Sequence, residues 1–237
     1  MIRFYFLRLL KDYIGHAILI GLPMFLIATL TYINAPDQTG WPEISRHITI
    51  LFVLMFQIFG AAYTFEGLEA DFLTPMKDRL HATPANPVHL VVIQIVFSTM
   101  VSLLQSIILV AFSVVIFDAA FENLLAVMGL LVLSAIGAQL LGGVLVLALK
   151  SASKAQVTIT LYAIFAPMVA GLNFSLPDIA IRPYLERYSS PLALSRMGIE
   201  GLFQDDLGDV LFSAFSLAGI IVILIIMLRL LGRKVIV

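Results

Sequence analysis

Cysteine is absent from the 237 residues, which rules out disulfides, thiolate metal sites and iron–sulfur clusters. Charge is scarce as well. Asp, Glu, Lys and Arg make up 12% of the chain, about half of what a soluble domain carries, while 61% is hydrophobic. Mean hydropathy is +1.04. Too few polar side chains remain to cover a water-facing surface, so the composition places the chain among integral membrane proteins. The net charge of −1 implies no nucleic-acid partner. The catalytic signatures are missing too: no H-E-x-x-H, no G-x-S-x-G and no phosphate-cradling Gly-Lys-Ser/Thr loop occurs. The four histidines, His16, His47, His81 and His89, sit at span edges and loops without the i, i+4 pairing of a helical metal site.

What is present is a series of long apolar runs. A span needs about 20 such residues. Six qualify, at 14–33, 48–65, 88–117, 124–149, 155–173 and 210–230, and the only Asp, Glu, Lys or Arg they hold is Arg229, next to the end of the last. Backbone polar groups in lipid must be satisfied within the segment, so these runs predict helices. The third, at roughly 45 Å of helix, must tilt or protrude. The first follows a basic start, as a signal peptide would, but its 20 residues exceed a signal-peptide core and it reads as a retained span. No repeat or linker divides residues 1–237, which predicts a single domain.

Six spans put both termini on one side. That side, with the 66–87 and 150–154 loops, carries ten Lys/Arg: Arg3, Arg8, Lys11, Lys77, Arg79, Lys150, Lys154, Arg229, Arg233 and Lys234. The other carries four: Arg46, Arg182, Arg187 and Arg196. The positive-inside rule then makes the first side cytoplasmic in a multi-pass cell-membrane protein. On the outer side, Trp41 reads as an interface anchor. The long loop 174–209 is cut by Pro177, Pro183 and Pro191. Ser190 followed by Pro191 marks a helix start, and Leu192, Leu194, Met197, Ile199, Leu202 and Phe203 make that helix apolar. It is expected either to lie at the outer membrane surface, with Pro191, Leu194, Arg196, Met197 and Glu200 acting as an outer gate, or to pack on the bundle.

Polar residues at depth are neutral: Gln57, Gln105, Gln139 and several Ser and Thr. They can join helices or line a cavity, and joining helices is the commoner role. Ser134, Ala138 and Gly142 form a small-residue face suited to close contact. With no carboxylate or lysine in the spans, proton or sodium coupling is disfavoured, and energy for any uphill transport must come from another protein.

One segment breaks the pattern. "EGLEADFLTPMKDRLHATPANPVHL", from Glu66 to Leu90, gathers six charges between two apolar runs. Leu68, Phe72, Met76 and Leu80 recur every four residues, with Glu69, Asp71, Asp78 and Arg79 beside them, an amphipathic helical pattern. Thr74-Pro75 predicts a break and a second short helix over 75–81. Acidic residues outnumber basic ones in it, which suits a protein partner better than anionic lipid.

Six spans, a basic N-terminal stretch and this acidic segment running into "LHATP" resemble the ABC-2 type transporter permeases. The resemblance implies an all-α integral membrane protein with six transmembrane helices, a cytoplasmic coupling helix between spans 2 and 3, and short outer helices between spans 5 and 6. It assigns docking on an ATP-binding subunit to Glu69, Asp71, Asp78, Arg79, Leu80, Ala82, Thr83 and Pro84. The periodicity adds Phe72 and Met76 as apolar anchors. Where that family has Gly-Thr, this chain has Pro75-Met76. The Arg3–Asp12 stretch is similar to the family's interface helix. By this resemblance the chain has no cofactor and no ATPase site of its own, ATP and Mg being bound by the partner ATPase, and it pairs with a second permease copy or paralogue in membrane lipid. The expected role is export of a hydrophobic or amphipathic cargo such as a drug, an antimicrobial peptide or a lipid. The other readings are export of a polysaccharide or lipid-linked glycan, an intramembrane lipid-modifying enzyme, and a membrane scaffold.

The ten-to-four charge split gives a direct test. A tag on the C-terminus is expected to react with an impermeant reagent only after cells are permeabilised, and reaction in intact cells would reverse the assigned topology.

Overall fold

The computed structural model describes residues 13–35, 38–75, 87–121, 123–172 and 177–235. Among these it contains nine helices and no strand: α1 (Tyr13–Asn34), α2 (Trp41–Phe59), α3 (Ala62–Phe72), α4 (Pro87–Phe117), α5 (Leu124–Leu149), α6 (Ala152–Val169), α7 (Arg182–Tyr188), α8 (Pro191–Phe203) and α9 (Leu207–Val235). Five helical stretches are long and apolar enough to cross a bilayer: α1, α2 with α3, α4, α5 and α9. This is the build of a multi-pass helical membrane protein. The fifth expected span, 155–173, is instead the 18-residue α6, about 27 Å long, with Ser153, Lys154, Gln156, Thr158 and Thr160 in its first half.

Helix ends follow local chemistry. Ser151 caps α6, its Oγ accepting the Lys154 N–H at 3.4 Å, and Ser190 caps α8, accepting the Ala193 N–H at 3.2 Å with Pro191 in the first turn. Lys150, at φ 52°, makes the left-handed turn that lets α6 start directly after α5. The second expected span, 48–65, has different bounds. Its helix begins at Trp41, breaks at Gly60-Ala61 where the Ala61 N–H bonds to the carbonyl of Ile58, and resumes as α3 to Phe72. Trp41 therefore opens a helix rather than sitting in a loop. Its Nε1–H donates to the Ala35 carbonyl at 2.7 Å and its ring meets Phe117 edge-on.

The surface shows which solvent the fold is made for. On α4, Val88, Val92, Val96, Met100 and Leu104 face outward at four-residue spacing, while Gln94, Ser98, Ser102, Gln105, Ser106 and Ser113 are buried. A soluble helix has the reverse arrangement. In lipid there is no hydrophobic force between helices, so packing and hydrogen bonds take over. Gln57 Nε2–H donates to Ser106 Oγ at 2.9 Å and to the Leu131 carbonyl at 3.1 Å, joining α2, α4 and α5. The Thr64 hydroxyl donates to Gln139 Oε1 at 2.7 Å, joining α3 to α5. Such bonds contribute on average about 0.6 kcal/mol each in membranes. Gln105 is buried as well, with no partner for its Nε2 among the described residues.

Close approach does the rest. A Cβ on Gly142 would lie 2.9 Å from Ala61 Cβ and 3.0 Å from Phe65 Cε1, so this member of the small-residue face is where α5 meets α3. A Cβ on Gly67 would lie 2.3 Å from Gln94 Cδ, and Gln94 is held there because its Nε2–H donates to the Tyr63 carbonyl at 2.8 Å. Gly67→Ala is therefore expected to destabilise the chain by about 1–3 kcal/mol, as overpacking does, read as a lower unfolding midpoint in detergent. Gln94→Ala in the same chain should recover part of the loss, and an unchanged midpoint in the single variant would contradict this packing.

Candidate functional site: the inner charged segment and its root

The charged segment is described as far as Pro75. Met76, Asp78, Arg79, Leu80, Thr83 and Pro84, Ala82 with them, and the second short helix beyond Pro75 lie outside the described residues, as does the basic Arg3–Asp12 stretch. In the described part the apolar stripe of the amphipathic pattern is buried. Leu68 is 0% and Phe72 2% exposed, both inside the core of the chain itself, and Asp71 is 8% exposed. Leu68 and Phe72 are thus anchors within the bundle and offer no free apolar face. The reason is tertiary: α3 packs against α4, α5 and α6 at once, so its apolar stripe is covered by three neighbours.

Glu69 has a specific partner. Its Oε1 accepts the backbone N–H of Ala152 at 2.7 Å. Ala152 is the first residue of α6, whose N-terminal N–H groups have no partners within the helix and carry the positive end of its dipole. A carboxylate is the group best suited to that position. With Ser151 taking the Lys154 N–H, the α6 terminus is held from two sides. The α3 C-terminus closes normally, with the Leu73 N–H on the Glu69 carbonyl at 2.8 Å, and the Thr74 hydroxyl donates to the Ala70 carbonyl at 2.6 Å. The 83-residue separation between Glu69 and Ala152 explains why periodicity did not reveal this contact.

The residues expected to form an outer gate lie elsewhere. Leu194 and Met197 are buried, and Pro191 and Leu192 border an apolar pocket of about 80 Å³ shared with α5, α6 and α9. α8 packs into the bundle against α5 and α9, as one of the two arrangements expected from its sequence has it. A Cβ on Gly198 would come within 2.5 Å of Ser213 Oγ, and that hydroxyl donates to the Leu194 carbonyl at 2.5 Å. Arg196 pairs with Glu200 through Nε at 2.7 Å and donates through Nη1 to the Ala170 carbonyl at the end of α6. Arg187 of α7 pairs with Asp209 of α9. These groups, with Glu186, surround a charged pocket of about 230 Å³. Arg46 joins the same end, its guanidinium 4.3 Å from the Phe203 ring centroid.

One other feature escaped the sequence. His16 is not a lone edge histidine, since its Nδ1 lies 2.8 Å from the Tyr63 hydroxyl. No group of three or more His, Asp or Glu side chains that could hold a metal occurs among the described residues. No family model, curated protein or solved structure matches the chain.

Removing the Glu69 carboxylate should loosen α6 at its start. Glu69→Ala is expected to cost about 0.5–2 kcal/mol, the usual range for a lost helix cap, measured as a lower unfolding midpoint. Faster hydrogen exchange at residues 152–155 should accompany it, with Glu69→Gln losing less. Equal protection in Glu69→Ala and the parent would show that the contact holds nothing.

Proposed function

We propose that this chain is the membrane-spanning permease subunit of an ATP-driven exporter of the ABC-2 type, moving hydrophobic or amphipathic cargo outward with energy from a separate ATP-binding subunit. The observation that carries the reading is the joint between Glu69 and the first residue of α6. The charged stretch that follows α3 has its root in the protein core, through Leu68 and Phe72, and at its root sits a carboxylate fastened to another helix. A force that a cytoplasmic partner applies at the end of α3 therefore has a path to α6 through the Glu69 contact. A helix merely resting on lipid would have no use for such a root.

The nature of α6 agrees with this role. It is the least apolar of the helices of 18 residues or more, and its outward side mixes Thr158 with Val157, Leu161 and Phe165. That mixture suits a face turned to a second permease copy or to a cargo path better than one bathed in lipid. α6 is also tied at its far end, where Ala170 accepts from Arg196 of α8. In this reading α6 passes motion from the cytoplasmic joint to the outer helices, and α8 with Arg196 and Glu200 is the gate. It takes the cytoplasmic side to be the side of the ten cations, with both termini there and a cell-membrane location. Hydrolysis of ATP belongs to the partner.

The test uses Leu80, the last apolar anchor of the segment. Burying a leucine contributes roughly 1.5–3 kcal/mol, and an unpaired buried charge in its place costs more. Leu80→Asp is expected to insert and fold like the parent but to lose co-purification of the ATP-binding subunit and with it ATP-dependent transport. A variant that retains a full complement of ATPase and transports normally would refute the docking role.

A further inference from the structure

The pocket of about 230 Å³ beside α7 and α8 is bordered by Glu186, Arg187, Arg196, Glu200, Gln204 and Asp209. Its charges are paired: Arg182 with Glu186 at 2.8 Å, Arg187 with Asp209, and Arg196 with Glu200 at 2.7 Å. Three arginines thus face three carboxylates, and the cluster has no net charge. Each pair is a single contact between one carboxylate oxygen and one guanidinium nitrogen. A carboxylate so paired keeps a second oxygen that can accept, and a guanidinium keeps further N–H groups that can donate. The six side chains are 22–48% exposed, so a ligand can reach them. Asp209 stands in the first turn of α9, and the bilayer-spanning apolar stretch of α9 begins at Leu207, which sets the pocket at the level of lipid headgroups. One turn on from Asp209, the Phe212 ring meets Tyr188 of α7 edge-on, with centroids 5.5 Å apart, and Leu211 and Phe215 beside it are exposed. Tyr184, also on α7, is exposed as well, as tyrosines at a membrane–water boundary are. A lipid-facing apolar surface therefore runs up to a neutral cluster of singly paired charges.

We propose that this pocket binds the head of a zwitterionic lipid with a primary amine, of the phosphatidylethanolamine type, while its acyl chains lie on Leu211, Phe212 and Phe215 of α9. The choice of head follows from the walls. A ligand with a net charge would leave one sign uncompensated in a partly buried cluster that is already neutral, whereas a zwitterion adds both signs equally. Its phosphate takes the remaining N–H groups of Arg187 and Arg196 in charge-assisted hydrogen bonds. Its ammonium donates to the remaining oxygens of Glu186, Glu200 and Asp209. Among the described residues no aromatic ring borders the pocket, so a trimethylammonium head, which has no N–H to donate, finds no ring face in exchange. The volume is below the roughly 300–1,000 Å³ of sites that enclose a drug-sized ligand, which suits a headgroup whose chains stay outside.

The site goes beyond the export reading, because binding needs neither an ATPase nor transport. The test uses the full chain in detergent, stripped of lipid and titrated with dioleoyl lipids, with bound lipid counted by native mass spectrometry. Phosphatidylethanolamine is expected to bind about fivefold more tightly than phosphatidylcholine or phosphatidylglycerol with the same chains, the worth of one partly exposed charge contact. It should also slow hydrogen exchange at residues 182–188. Glu186→Gln together with Asp209→Asn removes two carboxylates and leaves the arginines in place. Because partly exposed pairs contribute little to stability, this variant is expected to fold, and its preference should move from phosphatidylethanolamine to phosphatidylglycerol. Asp209→Asn alone should show the same shift to a smaller degree and serves if the double variant does not fold. Equal binding of the three lipids by the parent, or an unchanged order in a folded variant, would overturn the proposal. Displacement of the bound lipid by an equal concentration of glycerophosphoethanolamine would make a soluble zwitterion the ligand and would overturn the lipid assignment.

Discussion

The structure depends on how closely α3 can approach its neighbours. α3 has 11 residues, too few to be stable alone in water. It persists because Gly142 of α5 admits Ala61 and Phe65 at contact distance, and because its own Gly67 admits the Gln94 side chain of α4. Where no Cβ stands between two backbones, dispersion and hydrogen bonding act at their shortest range, and in lipid these forces replace hydrophobic association. Thr64 to Gln139 and Gln94 to the Tyr63 carbonyl then set the depth of α3 along its neighbours.

From that seam follows the geometry at the C-terminal end of α3. With α3 seated, Leu68 and Phe72 are enclosed and Glu69 faces the start of α6. The carboxylate meets a helix N-terminus, where negative charge is favoured, so one side chain both caps α6 and links it to the charged segment. The same seating turns Tyr63 and Glu66 toward α1, which closes a cleft with Phe59 and Ile18. Two features, a joint and a cleft, thus arise along a single short helix.

The end of the bundle that holds α7 and α8 is organised by ion pairs instead of small residues. Arg187 with Asp209, Arg196 with Glu200 and the Ala170 carbonyl, and Arg46 over Phe203 draw α2, α6, α7, α8 and α9 together. The pairs are partly exposed, so each contributes modestly. Their effect is to bind α8 to the ends of longer helices, while its apolar side, with Leu192, Met197 and Ile199, is filled by the bundle.

Much of this was legible in the sequence. Long apolar runs located the long helices, since a backbone in lipid must satisfy its own hydrogen bonds, and the ends of α4 and α5 fall at or within one residue of the runs at 88–117 and 124–149. Ser190-Pro191 and Ser151 act locally, within three residues, and so their caps could be read directly or recognised by type. The amphipathic stripe of the charged segment was also visible, but which body would cover it was not. Periodicity reports that a face is apolar and leaves its partner open; for Leu68 and Phe72 the partner is this chain. Glu69 to Ala152 and His16 to Tyr63 join residues 83 and 47 positions apart. Composition by itself determined the solvent and the helices, because both depend on properties summed over neighbouring residues. Only the tertiary structure decided which carboxylate caps which helix and which aromatic ring lines a cleft, because those contacts depend on where distant backbones come within a few ångströms of each other.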